Sequence, residues 1–298
     1  MKILDFIFAA RPMLQIPVWT IYLLSLRAFG RGHLVLSDFL LIAALSLNAA
    51  GAYYINQIYD YHSDLINEKV GFLQKGMISK KSMAVVAVIV LAISFVLAMW
   101  INIWAGLVNL VLIILGLLYS MSPARLKDRP VLGLLANSIG FGILIPLVAA
   151  FATRTITEST LWLCLFFLLT VGAAHLMTII PDRVGDIAAG KKTLAFYLSD
   201  KKIIYLASIF MLLALLPSIL MANIFFIIIC VLTFILLMAA ISVDQSRVLL
   251  FACKFPILLL SLLAGYYYPI YFIFLVVILV STRLYYIRRH KIVYPKIS

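Results

Sequence analysis

The sequence has few charged residues and few cysteines. Only 12% of its 298 residues are Asp, Glu, Lys or Arg, whereas 65% are hydrophobic, and the mean hydropathy is +1.16. A soluble globular domain usually has about a quarter of its residues charged, so the composition argues against that class. Three isolated cysteines, at 164, 230 and 253, support neither a disulfide framework nor a zinc site, and we expect them to pack in apolar surroundings.

Acidic residues are the scarcer charged type. The chain has 11 of them against 24 Lys and Arg, which gives a formal net charge of +13. The basic residues gather in the connections at 56–82, 122–130 and 181–202 and near both ends of the sequence. This is the distribution that cytoplasmic loops show beside anionic lipid headgroups, so the positive charge requires no nucleic acid partner.

Long apolar runs dominate the rest of the chain. A helix needs about 20 apolar residues to cross a hydrocarbon layer about 30 Å thick. Runs of this kind occur near 13–30, 37–55, 83–101, 103–121, 131–152, 160–180, 203–220, 222–242, 249–265 and 268–286. They do not alternate as the strands of a membrane barrel do, and therefore predict an all-α, polytopic membrane protein.

The charge distribution also predicts the topology. If the basic loops and both termini face the cytoplasm, the number of spans is even, which favours ten over nine. We find no low-complexity segment, linker or soluble appendage, and expect one membrane domain over 1–298. In a prokaryote this domain would lie in the cell membrane, with lipids as its surroundings.

Two acidic clusters stand out because acids are so scarce. The first acidic cluster is Asn56, Asp60 and Asp64, spaced by four at the end of the second run. The second acidic cluster is Asp182 and Asp186, at the end of the sixth run. If each helix continues through its cluster, the side chains share one face. Both clusters are expected on the cytoplasmic side.

Carboxylates held this close repel one another near a low-dielectric membrane, so the arrangement calls for a cation. Mg²⁺ takes oxygen ligands and is usually held by one or two carboxylates, with substrate phosphates completing its coordination. Two clusters that face each other could hold a diphosphate through Mg²⁺. The alternative is that these acids are solvated residues at the membrane surface.

These residues resemble the motifs of the UbiA superfamily of intramembrane prenyltransferases. The family's first motif is matched by Asn56, Asp60 and Asp64, and its second by Asp182 and Asp186 with Gly190, Thr193 and Leu194. Arg11-Pro12 is similar to the family's Arg-Pro entry. The stretch from Tyr119-Ser120 to Pro123, Arg125, Leu126 and Lys127 resembles its Tyr-Ser-Pro segment.

The resemblance implies a nine-helix bundle around a central cavity, with the run at 268–286 as a tenth, C-terminal helix. It implies Mg²⁺-dependent transfer of a prenyl group from a prenyl diphosphate to an aromatic or other lipophilic acceptor in the membrane. The predicted catalytic residues are Asp60, Asp64, Asp182 and Asp186, which with Asn56 would hold the metal. The predicted substrate-binding residues are Asn56, Arg11, Tyr119, Arg125, Lys127 and Lys191.

The sequence departs from the family at several positions. Gln57 stands where Asp is commoner, Gly71 stands where an Arg is common, and the second motif has Val184 and Ile179 in place of further acids. Lys69 or Lys75 could substitute for the missing Arg. Because of these departures, one alternative is a membrane protein that binds prenyl lipids but has impaired catalysis. A secondary transporter is the other alternative, although its acids would be expected near the middle of the membrane.

Overall fold

The computed structural model describes residues 2–66, 71–242 and 246–295, and every regular element in these ranges is a helix. The elements are α1 (Lys2–Ala9), a 3₁₀ turn (Pro12–Gln15), α2 (Ile16–Ala28), α3 (Leu36–Tyr59), α4 (Tyr61–Ile66), α5 (Lys80–Ile101), α6 (Ile103–Ser120), a 3₁₀ turn (Leu126–Asp128), α7 (Pro130–Ile139), a π-helical turn (Gly140–Leu144), α8 (Ile145–Thr153), α9 (Glu158–Ala188), α10 (Leu194–Tyr197), α11 (Asp200–Leu213), α12 (Leu215–Leu220), α13 (Ile224–Ser242), α14 (Ser246–Tyr267) and α15 (Pro269–His290).

Each predicted apolar run lies in a helical segment, but not every segment qualifies as a span. Within the described ranges, eight helices are long and apolar enough to cross a membrane. A ninth span results if Ile3–Ala9 and Pro12–Ala28, which meet at a bend of 41°, are counted together. The ninth predicted run lies in α14, whose apolar part, Lys254–Tyr267, is shorter. Counted by length and composition over the described residues, the spans therefore number eight or nine, and the expected total of ten stays a prediction. The chain is an integral, multi-pass membrane protein.

The longest helix, α9, lies in the middle of the bundle. It packs against α11, α7, α14 and α8, and 67% of its most apolar window is buried, against 17% for α5. The π-helical turn between α7 and α8 crosses α9 at close range. A Cβ added to Gly142 would lie 2.4 Å from the backbone nitrogen of Leu168, so only glycine permits this approach.

Polar side chains join the peripheral helices inside the apolar region. The amide nitrogen of Asn48 donates to Asn109 Oδ1 at 2.8 Å, Asn109 donates to Ser94 Oγ at 2.9 Å, and Ser94 donates to the carbonyl of Ala44 at 2.7 Å. In lipid, such bonds satisfy polar groups that water cannot reach and hold α3, α5 and α6 together. Cys164 and Cys230 are free and buried, as expected, whereas the side chain of Cys253 lies outside what the structure describes.

The up-and-down course of the helices fixes which loops share an end of the bundle. The C-terminal ends of α3, α6, α9 and α15 lie at one end of the bundle, together with α1. We call this end of the bundle the site end. The carboxylate of Asp5 in α1 binds Arg289 of α15 at this end, with 2.8 Å between Asp5 Oδ2 and Arg289 Nη2. Both acidic clusters lie at the site end as well.

Candidate active site

The first acidic cluster lies where α3 gives way to α4. The expected continuous helix is interrupted, because α3 ends at Tyr59 and Asp60 is its C-cap residue, with φ −92° and ψ 7°. Helical hydrogen bonds nevertheless connect the cluster. The N–H of Asp60 donates to the Asn56 carbonyl and the N–H of Asp64 donates to the Asp60 carbonyl, both at 2.8 Å. The spacing of four residues is therefore kept across the break.

The second acidic cluster lies in the last turns of α9, and the end of that helix places a lysine beside it. Gly190 adopts φ +73° and its N–H donates to the Ile187 carbonyl at 3.0 Å. The N–H of Lys191 donates to the Asp186 carbonyl at 2.9 Å. These two bonds form a Schellman motif, which needs a left-handed residue and so favours glycine. The motif turns Lys191 back toward Asp186.

Lys191 joins the two clusters. Its Nζ lies 3.0 Å from Asp186 Oδ1 and 3.9 Å from Asp60 Oδ1. The side chains of all three residues are no more than 13% exposed. Helix α4 also packs against α9. One ammonium group thus contacts carboxylates that are far apart in sequence, and the two clusters face the same space.

A second lysine binds the first cluster from the connection after α6. Lys127 Nζ lies 2.7 Å from Asp60 Oδ2, and its side chain is 7% exposed. The hydrogen bonds of the Asn56 amide are satisfied when its nitrogen faces Asp60. In that orientation the nitrogen donates to Asp60 Oδ2 at 3.1 Å, and the amide oxygen accepts from Lys127 Nζ at 3.2 Å and from Ser120 Oγ at 3.3 Å. Ser120 was not predicted as a site residue, although it belongs to the Tyr-Ser-Pro segment.

Arg125 approaches the same carboxylate in a strained backbone conformation. It has φ 38°, and its Nη2 lies 3.6 Å from Asp60 Oδ1 while its Nε donates to Asp128 Oδ2 at 2.5 Å. A left-handed non-glycine residue costs about 1–2 kcal/mol and is common at functional sites. Asp128, which is not among the predicted site residues, holds the guanidinium of Arg125 in place.

The two lysines differ in their electrostatic surroundings. Burial lowers the pKa of Lys127, and this effect outweighs the attraction of Asp60, because Lys191 and Arg125 add repulsion. Burial also opposes the charge on Lys191, but Asp60 and Asp186 together raise its pKa. Both results follow from a shielded site in which positive and negative groups compete.

We call the ion-paired side chains around Asp60 and Asp186 the network. The other predicted residues lie at the same end of the bundle. Asp64 is buried on α4, one turn beyond Asp60, whereas Asp182 is exposed one turn before Asp186. The Tyr119 hydroxyl lies beside the side chain of Asn137, and the charges of Asp60 and Asp186 are close enough to act on it. The charge of Arg11 acts on Tyr53 and Tyr294.

Several departures from the family pattern have structural explanations. Gln57 is buried and donates to the carbonyls of Ala9 at 2.8 Å and Tyr53 at 3.0 Å, so it faces α1 and not Asp60. Val184 is 80% exposed and faces away from the bundle, whereas Ile179 is buried in it. Lys69 lies outside the described residues. Lys75 contacts His290, with 3.4 Å between Lys75 Nζ and His290 Nδ1.

The donor set suits a hard cation. Asp60 Oδ1 is buried and accepts no hydrogen bond from the described protein atoms. In the described ranges, no three His, Cys, Asp or Glu side chains converge closely enough to hold a metal by themselves. Mg²⁺ is usually held by one or two carboxylates, with phosphate oxygens and water completing its coordination.

An open depression of about 520 Å³ lies away from these residues, at the opposite end of the bundle. It is lined by Asn102, Trp104, Phe151, Arg154 and Ile156. Its position sets it apart from both acidic clusters. The central cavity that the resemblance implies stays a prediction.

Comparisons with known proteins show the family of this chain. The model of the UbiA prenyltransferase family matches residues 15–248. Digeranylgeranylglyceryl phosphate synthase of Thermococcus kodakarensis is 33% identical over 180 residues, which cover 60% of this chain and 63% of that protein. Lycopene elongase/hydratase of Corynebacterium glutamicum is 28% identical over 172 residues, 54% of this chain and 58% of that protein. The matched segments thus span less than two thirds of these relatives.

A solved structure shares the fold. A UbiA homologue from Archaeoglobus fulgidus bound to GPP and Mg²⁺ superposes with a TM-score of 0.71, covering 88% of this chain and 98% of that chain at 16% identity.

Proposed function

Because this chain belongs to the UbiA prenyltransferase family, we propose that it transfers a prenyl group from a prenyl diphosphate to a lipophilic acceptor in the membrane, with Mg²⁺ as cofactor. The observation that carries the proposal is the meeting of Asp60 and Asp186 at the ammonium group of Lys191. Two carboxylate-bearing helix ends at one shielded place are what a metal-bound diphosphate requires.

The residues present fit the metal. Asp60 and Asp186 would supply carboxylate oxygens from facing sides, Asn56 would supply an amide oxygen, and Asp64 and Asp182 lie four residues from Asp60 and Asp186. When bound, Mg²⁺ supplies positive charge that stabilises the negative charge developing on the leaving diphosphate.

The basic side chains hold the diphosphate. Lys127, Lys191 and Arg125 already surround Asp60, and each can turn a donor toward a phosphate oxygen. The arrangement is fixed before the reaction by the Schellman turn at Gly190 and by the Arg125–Asp128 pair. Preorganised donors stabilise developing charge without reorganising during the reaction. The bond between the allylic carbon and the diphosphate oxygen breaks, the electron pair leaves with the diphosphate, and the acceptor bonds to the allylic carbon and loses a proton.

The relatives suggest two kinds of acceptor. Their names specify a synthase of digeranylgeranylglyceryl phosphate and an elongase/hydratase of lycopene. Both compounds carry long isoprenoid chains, so the acceptor of this chain is an isoprenoid lipid that enters from the bilayer. We place both acidic clusters and both termini on the cytoplasmic side.

The positions of the acids disfavour a transporter. Every described acidic residue lies in a connection or near a helix end, and none lies in the middle of a span. A transporter would bind its coupling ion near the midplane, where a buried acid would be expected.

The test is turnover by purified protein with Mg²⁺, geranylgeranyl diphosphate and one acceptor at a time: geranylgeranylglyceryl phosphate, lycopene or an aromatic acid. We expect diphosphate release and a prenylated product, detected by mass spectrometry, with one of the two isoprenoid acceptors. Asp60→Asn and Asp186→Asn should lower kcat at least about a hundredfold, as the loss of a preorganised electrostatic group does.

Asp200→Asn is the matched control. It removes an exposed acid at the site end that pairs with Arg183 and not with the network, so it should leave turnover unchanged. Normal turnover in both the Asp60→Asn and the Asp186→Asn variant would overturn the proposal. A lack of turnover by the unaltered protein with every acceptor would overturn it as well.

A further inference from the structure

A second charged group is buried at the site end, outside the network. Asp5 of α1 is 1% exposed and accepts from three donors of α15. Tyr285 OH lies 2.6 Å from Asp5 Oδ1, Arg289 Nε lies 3.0 Å from the same oxygen, and Arg289 Nη2 lies 2.8 Å from Oδ2. We call these three residues the latch. A bidentate guanidinium on a carboxylate is strong and directional, so the latch fixes α1 against α15.

The latch also holds the segment that follows the first acidic cluster. Phe72, 2% exposed, stacks on Tyr285 with 6.3 Å between ring centroids and meets the edge of His290 at 5.2 Å. Phe8 of α1 stacks on the same Tyr285 ring at 3.9 Å. Because Tyr285 belongs to both the latch and this stack, the position of Phe72 depends on the latch.

Further hydrogen bonds connect the segment of Phe72 and helix α1 to the residues on both sides of Asp60. Gln74 Nε2 donates to the Tyr61 carbonyl at 3.3 Å, at the first residue of α4. On the other side, Gln57 Nε2 donates to the Ala9 carbonyl of α1 at 2.8 Å. Tyr54 OH donates to the Phe6 carbonyl at 2.7 Å. The backbone before and after Asp60 is therefore held by elements that the latch joins.

Both latch elements lie outside the family match. The match covers residues 15–248, whereas Asp5 precedes it and Tyr285 and Arg289 follow it. The latch therefore does not follow from the family match and is inferred from the contacts of this chain alone. Its polar contacts are buried, and a buried carboxylate is stable only when it is paired.

We propose that Asp5, Tyr285 and Arg289 are positioning residues that hold α4 and the first acidic cluster in the arrangement that binds prenyl diphosphate. This inference rests on the proposed function. Without the latch, only a fraction of molecules would have the binding-competent arrangement at any time. The apparent affinity falls by that fraction, whereas turnover at saturation is retained.

Arg289→Gln tests the inference, with Arg288→Gln as its matched control. The control removes the same charge from the same helical turn, but Arg288 is exposed and has no described contact with Asp5. We expect Arg289→Gln to raise KM for geranylgeranyl diphosphate about tenfold, as a competent fraction of about one tenth would, while kcat changes little. Arg289→Lys keeps the charge but not the bidentate geometry, so it should restore only part of the affinity. Arg288→Gln should behave as the unaltered protein.

A purely structural role predicts a different result. Loss of folded protein would lower kcat and leave KM unchanged, and Arg289→Lys would not correct it selectively. An unchanged KM in folded Arg289→Gln protein overturns the inference. If Arg289→Gln does not fold, Phe72→Leu, which keeps an apolar side chain but removes the stacked ring, is measured instead, and an unchanged KM there has the same meaning.

Asp60→Asn, measured in the same assay, separates this inference from the proposed function. If Asp60→Asn is inactive and Arg289→Gln is normal, only the latch inference fails. Full turnover in Asp60→Asn would remove the proposed function, and this inference with it.

Discussion

At the residue scale, the site depends on a few side chains whose contacts cross long stretches of sequence. Lys191 reaches Asp186 through the turn that ends α9 and reaches Asp60 across more than a hundred residues. Its charge offsets the repulsion that two nearby carboxylates would otherwise have. We therefore expect Lys191 to matter both for the shape of the site and for the substrate.

Replacing Lys191 by Met should lower kcat/KM for geranylgeranyl diphosphate by at least about thirtyfold, since truncating one partner of a shielded charge pair costs about 2 kcal/mol or more. Steady-state kinetics measures the effect. Lys192→Met is the control, because Lys192 is the exposed neighbour of Lys191 and carries the same charge. Equal kinetics in the two variants would show that Lys191 has no role beyond general positive charge.

The sequence predicts candidate site residues, but it does not predict which side chains they contact. A spacing of four indicates a continuous helix; the structure interrupts that helix at Asp60 but keeps the backbone hydrogen bonds from Asp60 to Asn56 and from Asp64 to Asp60. Spacing carries no information about which residues from distant segments complete the site. The Ser120 and Asp128 contacts, and the bond from Gln57 to Ala9, depend on how whole helices pack.

At the scale of elements, close packing of the π-helical turn against α9 aligns two neighbouring spans. Gly142 permits the approach, because a Cβ there would lie 2.4 Å from Leu168 N and 2.6 Å from the carbonyl carbon of Phe167. Both atoms belong to the backbone and cannot move aside as a flexible side chain would. Helix α9 carries the second acidic cluster, so the turn helps to fix its height and rotation.

Gly142→Ala should destabilise the protein by about 1–3 kcal/mol, the usual cost of forcing a methyl group into a packed interface. Equilibrium unfolding in mixed micelles measures the change. The control is Gly140→Ala in the same turn, where a Cβ would meet side chains at 3.5 Å, an ordinary contact distance. Equal stability of the two variants would contradict this account of the turn.

Apolar runs predict where the long helices lie in the described part of the chain. They do not predict interruptions at polar positions. Asp60 ends α3 although its spacing suits a helix, and Arg11, at φ 52°, separates α1 from the following turn. The helix α1 itself was not predicted, since Lys2–Ala9 is too short to appear as a span and is held by contacts with α3 and α15.

At the scale of the whole molecule, positive charge is concentrated at the site end. Among the described residues, Arg27, Arg31 and Arg154 are the basic residues at the opposite end, whereas the other described Lys and Arg residues lie toward the site end. This asymmetry predicts that the site end is cytoplasmic.

The orientation of the protein in the membrane can be tested with single cysteines. Each is introduced into a variant from which the three native cysteines have been removed. In intact cells, an impermeant thiol reagent should label Ile156→Cys, whose native side chain is exposed at the opposite end. Lys202→Cys, at the exposed start of α11, should be labelled only after the membrane is opened. The reverse pattern would contradict the topology.

The central claim is that Asp60 and Asp186 act on one bound diphosphate, and a double-mutant cycle measures this directly. The quantity is the Kd for geranylgeranyl diphosphate in the presence of Mg²⁺, for the unaltered protein, Asp60→Asn, Asp186→Asn and the double variant. Residues that share one ligand should show a coupling energy of about 0.5–3 kcal/mol. Effects that simply add would mean that the two carboxylates act independently, and would contradict the account.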